Sequence, residues 1–119
     1  MAAPVSRFVA RHSRLLGVHL NDGNGKRDDG LMAGSVHPVQ VVELFVELAR
    51  ARYDGVIYFD TFPDHSGLNP VDEARENIRL TDRLREIAAK LAKDPGMAEA
   101  QARQDAAATN RIVTQAMFG

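Results

Sequence analysis

Two short apolar runs each bring a metal-competent side chain to, or near, their carboxyl end. In Leu15-Leu16-Gly17-Val18-His19-Leu20-Asn21-Asp22 that side chain is His19, and in Val56-Ile57-Tyr58-Phe59-Asp60 it is Asp60. An imidazole with carboxylates suits Mn²⁺, Co²⁺, Zn²⁺ or Fe²⁺, whereas carboxylates and water suit Mg²⁺. Further carboxylates follow His19 in the loop behind it: Asp22, Asp28 and Asp29. Taken singly, most of these have plainer readings. A lone histidine in an apolar strand is more often a core residue hydrogen-bonded to a neighbour. Aspartates in a glycine-rich loop are more often turn formers. Asp60 resists such a reading, because a carboxylate placed directly after four apolar strand residues is costly to bury without a cation or donors.

The other chemical possibilities are weaker. Gly23-Asn24-Gly25-Lys26 invites comparison with phosphate-cradling loops, but it lacks their spacing and the Ser or Thr after the lysine, and it is no dinucleotide fingerprint. His37 and His65 read as exposed loop residues, His65 having the better claim to a site because Asp60 and Asp64 stand close to it. His12 lies in an N-terminal helix with nothing beside it to give it a role. No serine sits at a strand-to-helix elbow, so nucleophilic hydrolase chemistry is not indicated.

The elements that must position these residues follow from periodicity. Val5, Phe8 and Val9 have helical spacing, so residues 1–14 read as a short amphipathic helix. Residues 15–20 and 56–59 read as strands, and their continuous apolarity implies burial on both faces, as in a parallel sheet. Between them, residues 36–52 have Val39, Val42, Val46 and Ala49 on one face and Gln40, Glu43, Glu47 and Arg50 on another. Ser35 is the expected N-cap, with Tyr53-Asp54-Gly55 as the stop. Asn69-Pro70 gives an N-cap followed by proline at the first helical position. The helix it opens should run to about Lys93, with Val71, Ala74, Ile78, Leu80, Leu84, Ile87 and Leu91 apolar. Asp94-Pro95-Gly96 breaks it, and residues 97–117 read as a tail of one or two helices. A strand–helix–strand unit of this kind is almost always a parallel crossover.

Composition excludes several functions. Fifteen basic against sixteen acidic residues leave no basic field to attract nucleic acid. The absence of cysteine removes disulfides and thiolate metal sites and agrees with a cytoplasmic setting. No run approaches the ~18 apolar residues of a membrane-spanning helix. At 119 residues the chain fits one domain with a modest core.

Three segments carry a resemblance: Val18-His19-Leu20-Asn21-Asp22; Arg27-Asp28-Asp29-Gly30-Leu31-Met32-Ala33-Gly34-Ser35; and Tyr58-Phe59-Asp60 with Asn69-Pro70-Val71-Asp72. Together they resemble the last two strand–helix units of xylose-isomerase-like sugar isomerases, most of all the L-rhamnose isomerase branch. The resemblance covers roughly residues 5–92. It implies an α/β fold, a βαβα portion of a TIM (β/α)₈ barrel over residues 15–93 with additional C-terminal helices, forming a single partial domain. It also implies a divalent metal (Mn²⁺, Mg²⁺ or Co²⁺), a small sugar substrate and aldose–ketose isomerisation. His19 and Asp60 match ligands of that family's structural metal, and Asp28 matches a ligand of its catalytic metal. Gly30 stands where the family often has a further acid, so Asp29 would have to substitute. The family's remaining metal ligands and its catalytic lysine have no counterpart here. A whole barrel takes about 250 residues, so the expectation is the C-terminal part of such an enzyme, inactive alone, in contact with the remainder of a barrel or with further copies. The alternative is a non-catalytic oligomerising α/β module with a decayed metal half-site.

Overall fold

The apolar stretch Val41 to Val46, interrupted only by Glu43, lies in a helix that is buried nearly all round, as a helix apolar on most sides must be. In the computed structural model, which describes residues 2–12, 15, 17–22, 31–61 and 69–119, the order is α1 (Ala2–His12), β1 (Gly17–Leu20), α2 (Pro38–Arg50), β2 (Val56–Phe59), α3 (Pro70–Leu91), α4 (Pro95–Ala102) and α5 (Ala106–Phe118). The central helix is α2, and α1, α3 and α5 all pack against it. Val42 and Val46 are fully buried, and with Phe45, Leu84, Leu91, Met97 and Val113 they belong to one continuous core.

This overturns the expected fold class. Five helices account for 66% of the described residues, and the only sheet among them has two parallel strands of four residues each. The molecule is a small helical globule carrying a two-stranded sheet, not a βαβα portion of a TIM barrel. The physical reason lies in where the apolar faces go. The helices bury theirs mostly against one another, and the sheet is left peripheral.

The second strand lies where expected and the first is Gly17–Leu20, shorter than the expected 15–20; they pair in parallel with Gly17 opposite Val56 and Leu20 opposite Phe59. Their burial alternates, however. Val18, Leu20, Ile57 and Phe59 face the core, while His19, Val56 and Tyr58 face solvent. An apolar run therefore did not mean burial on both faces. No helix among the described residues is long and apolar enough to cross a membrane.

Helix boundaries follow local chemistry. At the start of α3, Asn69 Oδ1 accepts hydrogen bonds from the backbone N–H groups of Val71 (2.9 Å) and Asp72 (3.3 Å), with Pro70 in the first turn. The start of α2 differs from expectation. Helical structure begins at Pro38, and Ser35 is exposed rather than serving as the cap. Just before it, Gly34 has φ +80° and lies against α3, where an added Cβ would come within 3.0 Å of Leu84 Cδ1. Only glycine suits both the dihedral and the contact. The far end of α2 closes one residue earlier than Tyr53-Asp54-Gly55. Arg52 takes the left-handed conformation (φ 53°), and Tyr53 N–H reaches back to the Leu48 carbonyl.

The tail forms two helices, and Ile112, Val113 and Met117 pack into the core. Its apolar side is therefore partnered within the chain, leaving Phe118 exposed. In α3 the expected apolar face is partly reversed. Val71 and Ile78 are more than half exposed, while Glu73, Asn77 and Thr81 are buried.

Candidate functional site

Strand carboxyl ends and helix amino ends meet at one end of the sheet, and the chemically capable residues gather there. His19 is the third residue of β1, and on the partner strand Tyr58 lies directly opposite, its ring 5.0 Å from the imidazole, centroid to centroid. The ladder runs one step beyond β2, because Asp60 N–H donates to the Leu20 carbonyl at 2.8 Å. The period-two pleat then places Asp60 on the same solvent-facing side as Tyr58 and His19. A rise of ~3.3 Å per residue and ~4.8 Å between strands puts the Cα positions of His19 and Asp60 about 8 Å apart, on a diagonal. Asp60 is exposed, so the desolvation argument that singled it out does not apply.

His19 and Asp60 are suitable donors for a divalent cation, but two donors do not make a site. Among the described residues, no group of three or more His, Cys, Asp or Glu side chains is placed to hold a metal ion. Asp28, Asp29 and His65 lie outside the described residues. The described part of the chain does not fit a divalent ion by itself.

The best-formed polar arrangement was not anticipated. Asp22, two residues beyond β1, is joined to Leu31 by two backbone hydrogen bonds (2.9 and 3.0 Å) and is buried. Its Oδ2 accepts from the N–H groups of Val36 (2.9 Å) and His37 (2.7 Å), and its Oδ1 lies 2.7 Å from His37 Nδ1. A residue read as a turn former thus holds the entrance of α2 from 15 residues away. Since the carboxylate can only accept, the imidazole donates from Nδ1, which leaves Nε2 on the far edge of a partly exposed ring. An Asx turn signal was visible in the sequence, but its long-range partner was not. Close by in the chain, Ala33 N–H donates to Asn77 Oδ1 at 3.1 Å, linking the same loop to the buried polar face of α3.

A second polar region lies between helices. Arg7 and Glu47 line two adjoining cavities of about 300 and 290 Å³, the first bounded by α1, α2, α4 and α5 and the second by α1 and α2. Glu43, half-buried on the first, has its carboxyl pushed above the ordinary value by desolvation. A carboxyl group with a raised folded-state value binds its proton more tightly when folded. Its unfavourable contribution is therefore absent at low pH and grows as pH rises from the unfolded value through the folded one. Glu43→Gln should thus gain stability relative to the parent between pH 4 and pH 7, measured by urea unfolding at both. A difference that stays flat or shrinks with pH would contradict the burial argument.

Comparisons with protein-family models, with curated proteins and with solved structures find no match to this chain.

Proposed function

We propose that this chain contributes part of the divalent-metal site of a sugar isomerase similar to the L-rhamnose isomerase branch, and that it does not turn over sugar alone. One observation carries the reading. The two residues that match structural-metal ligands, His19 and Asp60, fall at the carboxyl ends of adjacent parallel strands and on one solvent-facing side. Two donors bind a cation weakly, and the remaining ligands come from another polypeptide segment. The substrate class is a small sugar, by the same resemblance.

The test is a titration of the isotope-labelled chain with Mn²⁺, whose paramagnetism broadens nearby resonances even at millimolar affinity. Broadening should centre on His19 and Asp60 and should weaken strongly in His19→Ala. Rhamnose and xylose should show no aldose–ketose conversion with Mn²⁺ or Co²⁺. Manganese broadening that bypasses both residues would remove the half-site. Turnover abolished by His19→Ala would show that the chain completes a site unaided.

A second reading, self-association through the sheet, is favoured by Val56 and Tyr58, each 54% exposed on that same face. A two-stranded sheet is marginal alone, and among the described residues neither strand has another neighbour. A second copy is the occupant this favours. It would shift Val56 and Tyr58 resonances with protein concentration in the absence of metal.

A further inference from the structure

Three guanidinium groups converge on the smaller of the two cavities between the helices. Arg7 and Arg11 stand one turn apart on α1, and Arg50 occupies the last turn of α2. All three line a cleft of about 290 Å³, close to the lower end of ligand-pocket sizes. The carboxylate lining it is Glu47, which is buried and lies 3.3 Å from Arg50 Nη1. Arg7 and Arg11 have no ion-pair partner among the described residues. Three cations against one anion leave about two positive charges around a space large enough for a small group.

Arg50 supplies the second observation. Its Nη1 donates to Glu47 and to Gln101 Oε1, while its Nη2 is buried and has no hydrogen-bond partner. A buried donor without an acceptor carries an unmet desolvation cost. Arginines in the last turn of a helix also balance the helix dipole, and for Arg50 alone that account would serve. It explains neither the shared cleft nor the unmet Nη2.

We propose that this cleft binds a phosphate group, either free or as the terminal group of a small polyol. Guanidinium forks match phosphate oxygens in pairs, and a dianion balances the excess of two charges better than a single carboxylate. The neighbouring cavity of about 300 Å³ shares Arg7 and Glu47, is lined also by the Glu43 carboxyl, and offers Gln104 and Thr109. Amide and hydroxyl groups there could accept and donate to the hydroxyls of an esterified polyol.

The probes are inorganic phosphate and ribose 5-phosphate, titrated calorimetrically into the full chain against sodium chloride at equal ionic strength. Phosphate should bind where chloride does not, and exposed Arg11→Gln should weaken it about tenfold, the loss of one charge-assisted hydrogen bond. Arg7→Gln should act similarly, so the result does not rest on Arg50, whose replacement could disturb Glu47. Ribose 5-phosphate binding more tightly than phosphate, with the gain lost in Gln104→Ala, would assign the ester as ligand. Equal affinities would assign free phosphate. Heats no greater than those of chloride, or affinities unchanged in both arginine variants, would overturn the proposal.

Discussion

Phe45→Ala should lower the unfolding free energy by about 3–5 kcal/mol, the usual cost of removing a buried aromatic side chain and leaving a cavity. Phe45 is 3% exposed in the middle of α2, the helix against which α1, α3 and α5 pack. It borders a cleft of about 430 Å³ shared with Leu48 and Ile57, so truncation enlarges an existing space that the surroundings have not closed. Domains of this size are stable by roughly 5–15 kcal/mol, so the loss would be a large share of the total. The informative control is Val56→Ala in β2. At 54% exposed on the outer sheet face, it should cost less than about 1 kcal/mol. Urea midpoints for the two variants separate a helical core from a sheet-centred one. A Val56→Ala penalty equal to that of Phe45→Ala would mean that the sheet is the organising layer after all.

That contrast shows which parts of the fold local sequence could reveal. Asn69-Pro70 was legible as a helix start because its chemistry is complete within four residues, and the side chain caps as expected. The strand at residues 56–59 was legible from β-branched and aromatic content, and the one at residues 17–20, expected over 15–20, from its apolar run. Their burial was not. Val56 and Tyr58 look like core residues in a run of apolar neighbours, yet which face is covered depends on where the helices go. The same limit explains α3, where Val71 and Ile78 are exposed while Glu73, Asn77 and Thr81 are buried. Its C-terminal half follows the apolar spacing of Leu84, Ile87 and Leu91, and a rigid helix carries that orientation back through its first turns whatever residues stand there.

Turn chemistry was half visible. Arg52 and Gln104 both adopt left-handed backbone (φ 53° and 55°) and end α2 and α4 in the role usually taken by glycine, so Gly55 marked the first stop only approximately. In the candidate site, the positions of His19 and Asp60 near strand ends were readable from sequence. Their diagonal offset needed the register, because Tyr58, not Asp60, falls opposite His19. The bond between Asp22 and His37 joins residues 15 apart, and no local spacing rule encodes it.

Asp22 carries the other large expected effect. Asp22→Ala removes an acceptor used by the N–H groups of Val36 and His37 and by the His37 ring. Leaving partly buried N–H groups without an acceptor costs about 1–3 kcal/mol, and the hydrogen bond of the ring to a charged group is worth about 1.5–3 kcal/mol. Overlap between these contributions puts the expected loss at about 2–4 kcal/mol. Asp22→Asn should recover part of it, since an amide oxygen can still accept from the two backbone donors while its NH₂ meets the ring nitrogen as a second donor. His37→Ala should cost less than Asp22→Ala, because the His37 side chain is 42% exposed and its removal leaves both backbone bonds in place. An ordering with Asp22→Ala the most damaging, Asp22→Asn next and His37→Ala the mildest identifies the carboxylate, not the imidazole, as the group that holds α2 to the end of β1. Amide exchange supplies an independent measure, with the N–H groups of Val36 and His37 losing protection in Asp22→Ala and keeping it in His37→Ala. Equal losses from Asp22→Ala and His37→Ala would instead place the stabilisation in the side-chain pair, and the imidazole would then be the group to which the helix entrance is tied.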